Sequence, residues 1–310
     1  MPSDEHRADL VIGGRGFLGS AIARRLTDSG RAFKILARRS SNAPPAGSDP
    51  NIIEGDVNAT KLLPAWLKET ATVYFAVPIT DLGEDPGDWN GVPFLAACAE
   101  AGVRVVVATD ISLYTADTTP PHDEKTNFQG RTSVGDAQME WENSALLEGL
   151  RRRFAVTVLR FPALVGAGLT NAAWRDTFAR VQSGRTLDVV GRGEEVTELL
   201  HVDDAARACI LAATRIAARG EIIQIPGHPI RRKNLLRVLI KVAESKSEIV
   251  SVADSEENAK KRRRHAPAHL DSWVRGEKAR RLLGFTPEIS YERAFRETLA
   301  SLAAAAARSR

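Results

Sequence analysis

The chain has 310 residues, 43% of them hydrophobic and 26% charged, with a formal net charge of +4. This balance suits a soluble globular protein of one large domain or two smaller ones. No apolar run reaches eighteen residues, which argues against a membrane-spanning helix. The opening MPSDEHRADL is polar and of mixed charge, unlike a secretory signal. Cys98 and Cys209 are the only cysteines; so few, so far apart, predict no disulfide framework and no metal spacing, and with them a cytoplasmic protein. Much of the positive excess lies in Lys260-Lys261-Arg262-Arg263-Arg264-His265. That run is a solvated face or a patch for an anion; without interleaved aromatics it predicts no nucleic-acid partner.

The first half alternates short apolar runs with amphipathic stretches. ADLVIGG predicts a strand, and FLGSAIARRLTDSG a helix with Phe17, Leu18, Ala21, Ile22 and Leu26 on one face. AFKILAR, NIIEGD and TVYFAVP predict three more strands, the last stopped by Pro78. WNGVPFLAACAEAG predicts a helix ending at Gly102. VRVVVATD is nearly continuous in valine, as a strand buried on both faces should be. Residues 133–149 predict a helix with Val134, Ala137, Trp141 and Ala145 inward, and FAVTVLRFP predicts a sixth strand.

This rhythm predicts an α/β fold, a Rossmann-type doubly wound parallel sheet. Beyond residue 169 the pattern loosens into helices (NAAWRDTFARVQSG, RKNLLRVLIKVAE, and a tail rich in alanine) and short strands (TLDVV, EIIQIP). LLHVDDAARACILAATR predicts a packing helix of the first unit. The expected division is a nucleotide-binding domain over 1–168 plus about 198–226, and a smaller substrate-binding domain over 169–197 and 227–310.

The first strand runs straight into Gly13-Gly14-Arg15-Gly16-Phe17-Leu18-Gly19, and a helix follows. Glycines at 13, 16 and 19 permit a tight turn and close approach of backbone to a pyrophosphate, which the helix N-terminus would attract. At the end of the second strand an NAD site would place an acid for the ribose hydroxyl. Here stand Arg38, Arg39 and Ser40, which suit a 2′-phosphate, and Arg15 is within reach of the same group. The expected cofactor is NADP(H).

With these residues in place the chain resembles the extended short-chain dehydrogenases/reductases, the NAD-dependent epimerase/dehydratase family. The glycine loop is similar to that family's GxxGFxG. Asp56-Val57 resembles its adenine-contacting pair, and YFAV with Pro78 (Ala76, Val77, Pro78) its segment against the cofactor. RFPALVGAG resembles the motif near the nicotinamide and places Phe161, Pro162, Ala163 and Leu164 there. VVGRGEEVTELLHVDDAARA and KARRLLGFTP resemble two more specific motifs, so that the likeness covers nearly the whole chain.

The family's catalytic set is Ser or Thr, Tyr and Lys. Where it writes YGxSK, this chain has Val134-Gly135-Asp136-Ala137-Gln138, and Asp110 stands at the place of the catalytic Ser or Thr. Valine carries no proton; Gln138 can still hydrogen-bond a ribose but brings no charge. Losing a general acid–base group costs about 10²–10⁴ in rate, roughly 3–5 kcal/mol of barrier. Thr197 replaces an arginine that many members use for a nucleotide-sugar phosphate, which points away from that substrate class.

Asp110, at the end of the fifth strand, is the candidate acid–base group, or else an aspartate that ties down a turn. Tyr114 and Ser112 complete the candidate catalytic set, although the counterpart of Tyr114 is usually structural in the family. His122, Asp123 and Glu124 predict a loop bordering the site, its histidine solvated as loop histidines usually are. His201-Val202-Asp203-Asp204 reads as a helix cap.

Three functions remain open at this point. One is an atypical NADP(H)-dependent oxidoreductase on a small, specialised-metabolite substrate. The others are a non-catalytic NADP(H)-binding redox sensor and a non-redox isomerase or cyclase. The resemblance also implies a homodimer through the helices at 88–101 and 134–150, with Trp141 and Leu146 either in that interface or in the core.

Overall fold

A computed structural model of the protein describes residues 7–38, 49–85, 87–111, 120–126, 133–253 and 273–308. The expected alternation is there. Strand β1 (Ala8–Ile12) leads into α1 (Phe17–Asp28), then β2 (Phe33–Ala37), β3 (Ile52–Glu54), a short α2 (Leu63–Leu67) and β4 (Thr70–Phe75). There follow α3 (Val92–Glu100), β5 (Arg104–Asp110), α4 (Ser133–Arg152) and β6 (Val156–Phe161). With β10 (Glu221–Gln224) these strands form one seven-stranded parallel sheet, in the order β10-β6-β5-β4-β1-β2-β3.

Because the sheet is covered on both faces, successive residues of a strand feed different cores. Leu10 and Ile12 pack with α2, α3 and α4, while Val11 packs with α1 and with α6 (Val202–Thr214). Val105 and Val107 follow the first pattern and Val106 the second, which is why this strand shows no polar alternation. The molecule is therefore Rossmann-type and doubly wound, and every strand of its main sheet ends on the same edge.

The remaining elements gather around a third core. They are β7 (Ala163–Val165), α5 (Ala172–Gln182), β8 (Leu187–Val190), β9 (Val196–His201), β11 (His228–Arg231), α7 (Arg232–Val242) and β12 (Ile249–Val252). Helix α8 (Glu277–Leu283) packs on α6, and α9 (Tyr291–Arg308) on α7. Trp174, Phe178 and Phe295 are fully buried there, Phe178 meeting Phe295 edge to face at 5.5 Å. A three-stranded sheet β11-β9-β7 and the pair β12-β8 complete it.

Some expectations need correction. The helix expected from Trp89 begins at Val92; Trp89 instead stacks on Phe75 at 5.4 Å. Helix α2 and strands β7, β9, β11 and β12 had no clear sequence signal, being three to six residues long. Trp141 is a core residue packed on Phe75 and Trp89, whereas Leu147 and Leu150 form the exposed apolar part of α4. Both cysteines are buried and unpaired. Among the described residues no helix is long and apolar enough to cross a membrane.

Candidate functional site

The turn after β1 is built around Gly13, whose φ of 81° favours glycine. Its amide donates to the Leu36 carbonyl at 3.2 Å, and its carbonyl accepts from the Gly16 amide at 2.8 Å. Helix α1 then starts against this loop so tightly that a Cβ at Gly19 would lie 2.2 Å from the Gly13 oxygen. No side chain caps the helix at Gly16 and no acid occupies its first turn. A positive, sterically open helix end results, which suits an anion.

Beyond it lies a crevice of about 630 Å³ along the carboxyl ends of β1, β2 and β4. Gly13, Arg15, Gly16, Arg38, Asp56, Val57, Ala76, Val77 and Pro78, all singled out from the sequence, line it. Asp81 and Leu82 line it as well and had no motif to mark them. Arg15 donates to the Arg38 carbonyl at 3.2 Å, which lays its guanidinium across the end of β2. Arg38 itself is exposed. Asp56 accepts from the Asn58 amide at 2.8 Å, and the Asn58 side chain donates to the Leu82 carbonyl at 3.1 Å, so one short turn ties both walls together. Arg39 and Ser40 lie outside the described residues, as do Ser112, Tyr114 and the basic run 260–265.

Phe17, Leu18 and Gly19 sit behind the crevice. Phe17 and Leu18 pack on the core shared by α1 and α6. Phe161 is buried, Pro162 follows it, and Ala163 and Leu164 form β7. The register pairs Asp110 with Phe161, so the Asp110 end of β5 and the Pro162 turn lie side by side. Strand β5 is two places from β1 in the sheet, hence about 10 Å from the glycine loop. Asp110 is exposed at this edge.

Behind Asp110 is a buried polar cluster that pattern reading missed. Glu142 is 0% exposed and Arg160 3%. Arg160 donates to Oε2 of Glu142 from Nε at 3.0 Å and from a terminal nitrogen at 2.6 Å. Oε1 of the same carboxylate accepts from the Thr109 hydroxyl at 2.7 Å and from the Gln138 amide at 3.1 Å. The Gln138 nitrogen also donates to the Asp110 carbonyl at 2.7 Å. Gln138 is itself buried, and its two amide protons are thus directed into the protein. Val134 is half-buried against the core beneath α4. Two signals could have revealed the cluster: Glu142 one helical turn after Gln138, and a lone arginine inside the apolar run VTVLRF.

The 120–126 segment is structural in its visible bonds. His122 is buried rather than solvated: its backbone pairs with Trp273 and Arg275. Glu124 accepts from the Gln224 amide at 2.8 Å. His201 caps α6, as expected, by accepting the Asp203 amide at Nδ1 (3.2 Å). Its Nε2 lies 2.9 Å from Glu297, so His201, Asp203 and Glu297 cluster with the spacing of metal ligands. The chemistry does not favour a cation. Nδ1 is occupied as an acceptor, which places the proton on Nε2, and Arg24 and Arg293 already pair with the two carboxylates.

Glu198 of β9 is buried under the second unit and accepts from the Gly227 and Val274 amides at 2.8 and 3.0 Å. Burial pushes its carboxyl up to about 8 despite these two donors.

Comparison with known proteins agrees with this architecture. The model of the NAD dependent epimerase/dehydratase family matches residues 10–225. The chain therefore belongs to that family. An uncharacterized protein, y4nG, of Sinorhizobium fredii is 25% identical over 252 residues, covering 78% of this chain and 62% of that protein. A UDP-glucose 4-epimerase of Azospirillum brasilense is 27% identical over 173 residues, 51% of this chain and 49% of the epimerase. The chain thus spans less than two thirds of the length of either relative. Among solved structures, a dTDP-glucose 4,6-dehydratase of Bacillus anthracis in complex with NAD superposes with a TM-score of 0.76. It is 18% identical, with 96% of this chain and 97% of that one covered, a likeness of fold.

Proposed function

We propose that this protein is an atypical NADP(H)-dependent oxidoreductase acting on a small, specialised-metabolite substrate without the family's tyrosine and lysine. The observation that carries the cofactor is the crevice itself. It has a glycine turn at an uncapped helix N-terminus, with Arg15 and Arg38 at the end of β2 where an NAD site would carry an acid. Glycines 13, 16 and 19 would let the pyrophosphate approach, the two arginines would take a 2′-phosphate, and Asp56, Val57, Ala76, Val77 and Pro78 would enclose the adenosine half. Phe161 to Leu164 and the Gln138 oxygen would border the other half. A bound nicotinamide would supply or accept the hydride. The chain must then move the proton, and Asp110, exposed at the carboxyl end of β5, is the group we assign to that task.

Tyr114 and Ser112 remain proposed partners of Asp110 from their sequence positions. We place the nucleotide-binding unit at 1–168 with about 198–226 and the substrate-binding unit in the rest. Two copies are proposed to meet through α3 and α4, where Val92, Leu147 and Leu150 are exposed; a monomeric mass by light scattering at micromolar concentration would remove that proposal.

A second reading is favoured by one observation: Val134 has no proton to give, and the Gln138 amide protons are spent inside the protein. On that reading the chain binds NADP(H) without turnover and reports redox state to a partner. Calorimetry with NADPH, NADP⁺, NADH and NAD⁺ tests the common part. Binding of none of the four would end both readings. Asp110→Asn then separates them: loss of turnover with binding retained supports the enzyme, and unchanged turnover removes Asp110 from it.

A further inference from the structure

We infer that Gln138 is a positioning residue for Asp110, held in that role by the buried Glu142–Arg160 pair; this rests on the assignment of Asp110 as the proton-moving group. The end of β5 is gripped twice from α4. Thr109 is held through its hydroxyl on Glu142, and Asp110 through its carbonyl on the Gln138 amide. A carbonyl fixed in direction fixes the following peptide plane; with Thr109 and the ladder to β6 holding the chain before it, both sides of the Asp110 Cα are set, and with them the direction in which its side chain leaves the strand. The same amide nitrogen is anchored at its other proton by Glu142, and Glu142 by Arg160 on β6, the residue directly across from Thr109 in the sheet. Three elements thus converge on one carboxylate that receives four donor contacts.

The charge balance explains why a neutral residue stands at 138. Glu142 and Arg160 cancel, and both are buried. A lysine in the same place would donate the same two hydrogen bonds but leave one uncompensated positive charge beside the pair, which a low-dielectric interior resists. Glutamine supplies the two donors without the charge. The residue that departs from the family pattern is therefore matched to its surroundings: it serves the strand end rather than a missing proton relay.

The test uses the full chain loaded with NADPH and labelled with ¹³C at aspartate carboxyls, the Asp110 signal being assigned by its loss in Asp110→Asn. In Gln138→Leu, which keeps the size but removes both donors, the Asp110 signal is expected to move toward its unfolded-chain position and broaden. Gln138→Lys, which restores both donors, is expected to return the signal toward the wild-type position, at some loss of melting temperature. An Asp110 signal unchanged in Gln138→Leu would overturn the inference, as would a signal that moves equally in both variants. The readout needs no substrate. If Asp110→Asn leaves turnover intact, the catalytic assignment fails while the carboxyl signal still decides whether Gln138 orients that side chain.

Discussion

Two parts of the same sheet edge are built on opposite principles. The crevice at β1, β2 and β4 is made of backbone, small residues and exposed arginines; it presents unsatisfied polarity outward, for a ligand to complete. The end of β5 is backed by a carboxylate, a guanidinium, a hydroxyl and an amide, buried and satisfied among themselves. An outward-facing site depends on its ligand for satisfaction, whereas an inward-facing cluster depends on its own members, so a change at one member is felt as stability.

The largest expected effect breaks the inward cluster. Arg160→Ala leaves Glu142 buried without its charge partner and should cost about 3–5 kcal/mol in urea unfolding. Replacing both members by apolar residues of similar volume should recover part of that loss; a loss as large as that of the single variant would show that the pair contributes more than mutual neutralisation. Next, Gly19→Ala forces a Cβ to within 2.2 Å of the Gly13 carbonyl, so α1 must withdraw from the loop. Nucleotide affinity by calorimetry should fall by at least about tenfold, and unchanged affinity would mean that the loop does not form the binding turn. Arg38→Ala should weaken NADP(H) by a comparable factor, about 1.5 kcal/mol or roughly tenfold for an exposed charge-assisted bond, and leave NAD(H) unaffected. Equal losses for both cofactors would point to a general charge effect rather than a phosphate contact.

The smallest effect concerns a third site, which has features of both. Glu198 is buried, yet its partners are two backbone amides from separate loops, with no countercharge among the described residues. Its carboxyl lies at about 8 in the folded protein against 4.5 as a free group, raised by burial. Folding therefore retains a proton that the unfolded chain has already lost within that window. The stability contributed by Glu198 is complete below about pH 4.5 and declines as pH rises toward 8. Glu198→Gln should be less stable in acid, having lost one acceptor, but should show a flatter pH dependence of melting between pH 5 and 8. Parallel slopes in the two proteins would place the proton elsewhere.

How legible each region was follows from the range of the interactions that make it. The glycine turn, the arginines after β2 and the valine-rich β5 are local matters. A φ of 81° at Gly13 or an apolar strand between two helical layers leaves a mark within a few neighbouring residues. The parallel sheet with helices on both faces followed from the alternation of elements, because parallel strands need crossovers and crossovers bury both faces, whereas the order of its strands came only with the structure. Residue by residue, the sequence determined the fold type and named most of the residues that line the crevice at the ends of β1, β2 and β4.

Tertiary structure alone decided what the departures are for. Glu142 and Arg160 are eighteen residues apart and Thr109 is thirty-three residues from Glu142. No local pattern announces that three elements will bring them to one point. Trp141 could face a partner or the core until Phe75 and Trp89 closed around it, and His122 could be solvated until its backbone bridged to Val274. Side chains of this kind take their role from who surrounds them. Hydrogen bonding and charge compensation in a buried cluster are properties of the assembled neighbours, and the chain order that brings those neighbours together is fixed only once the sheet and its helices have packed.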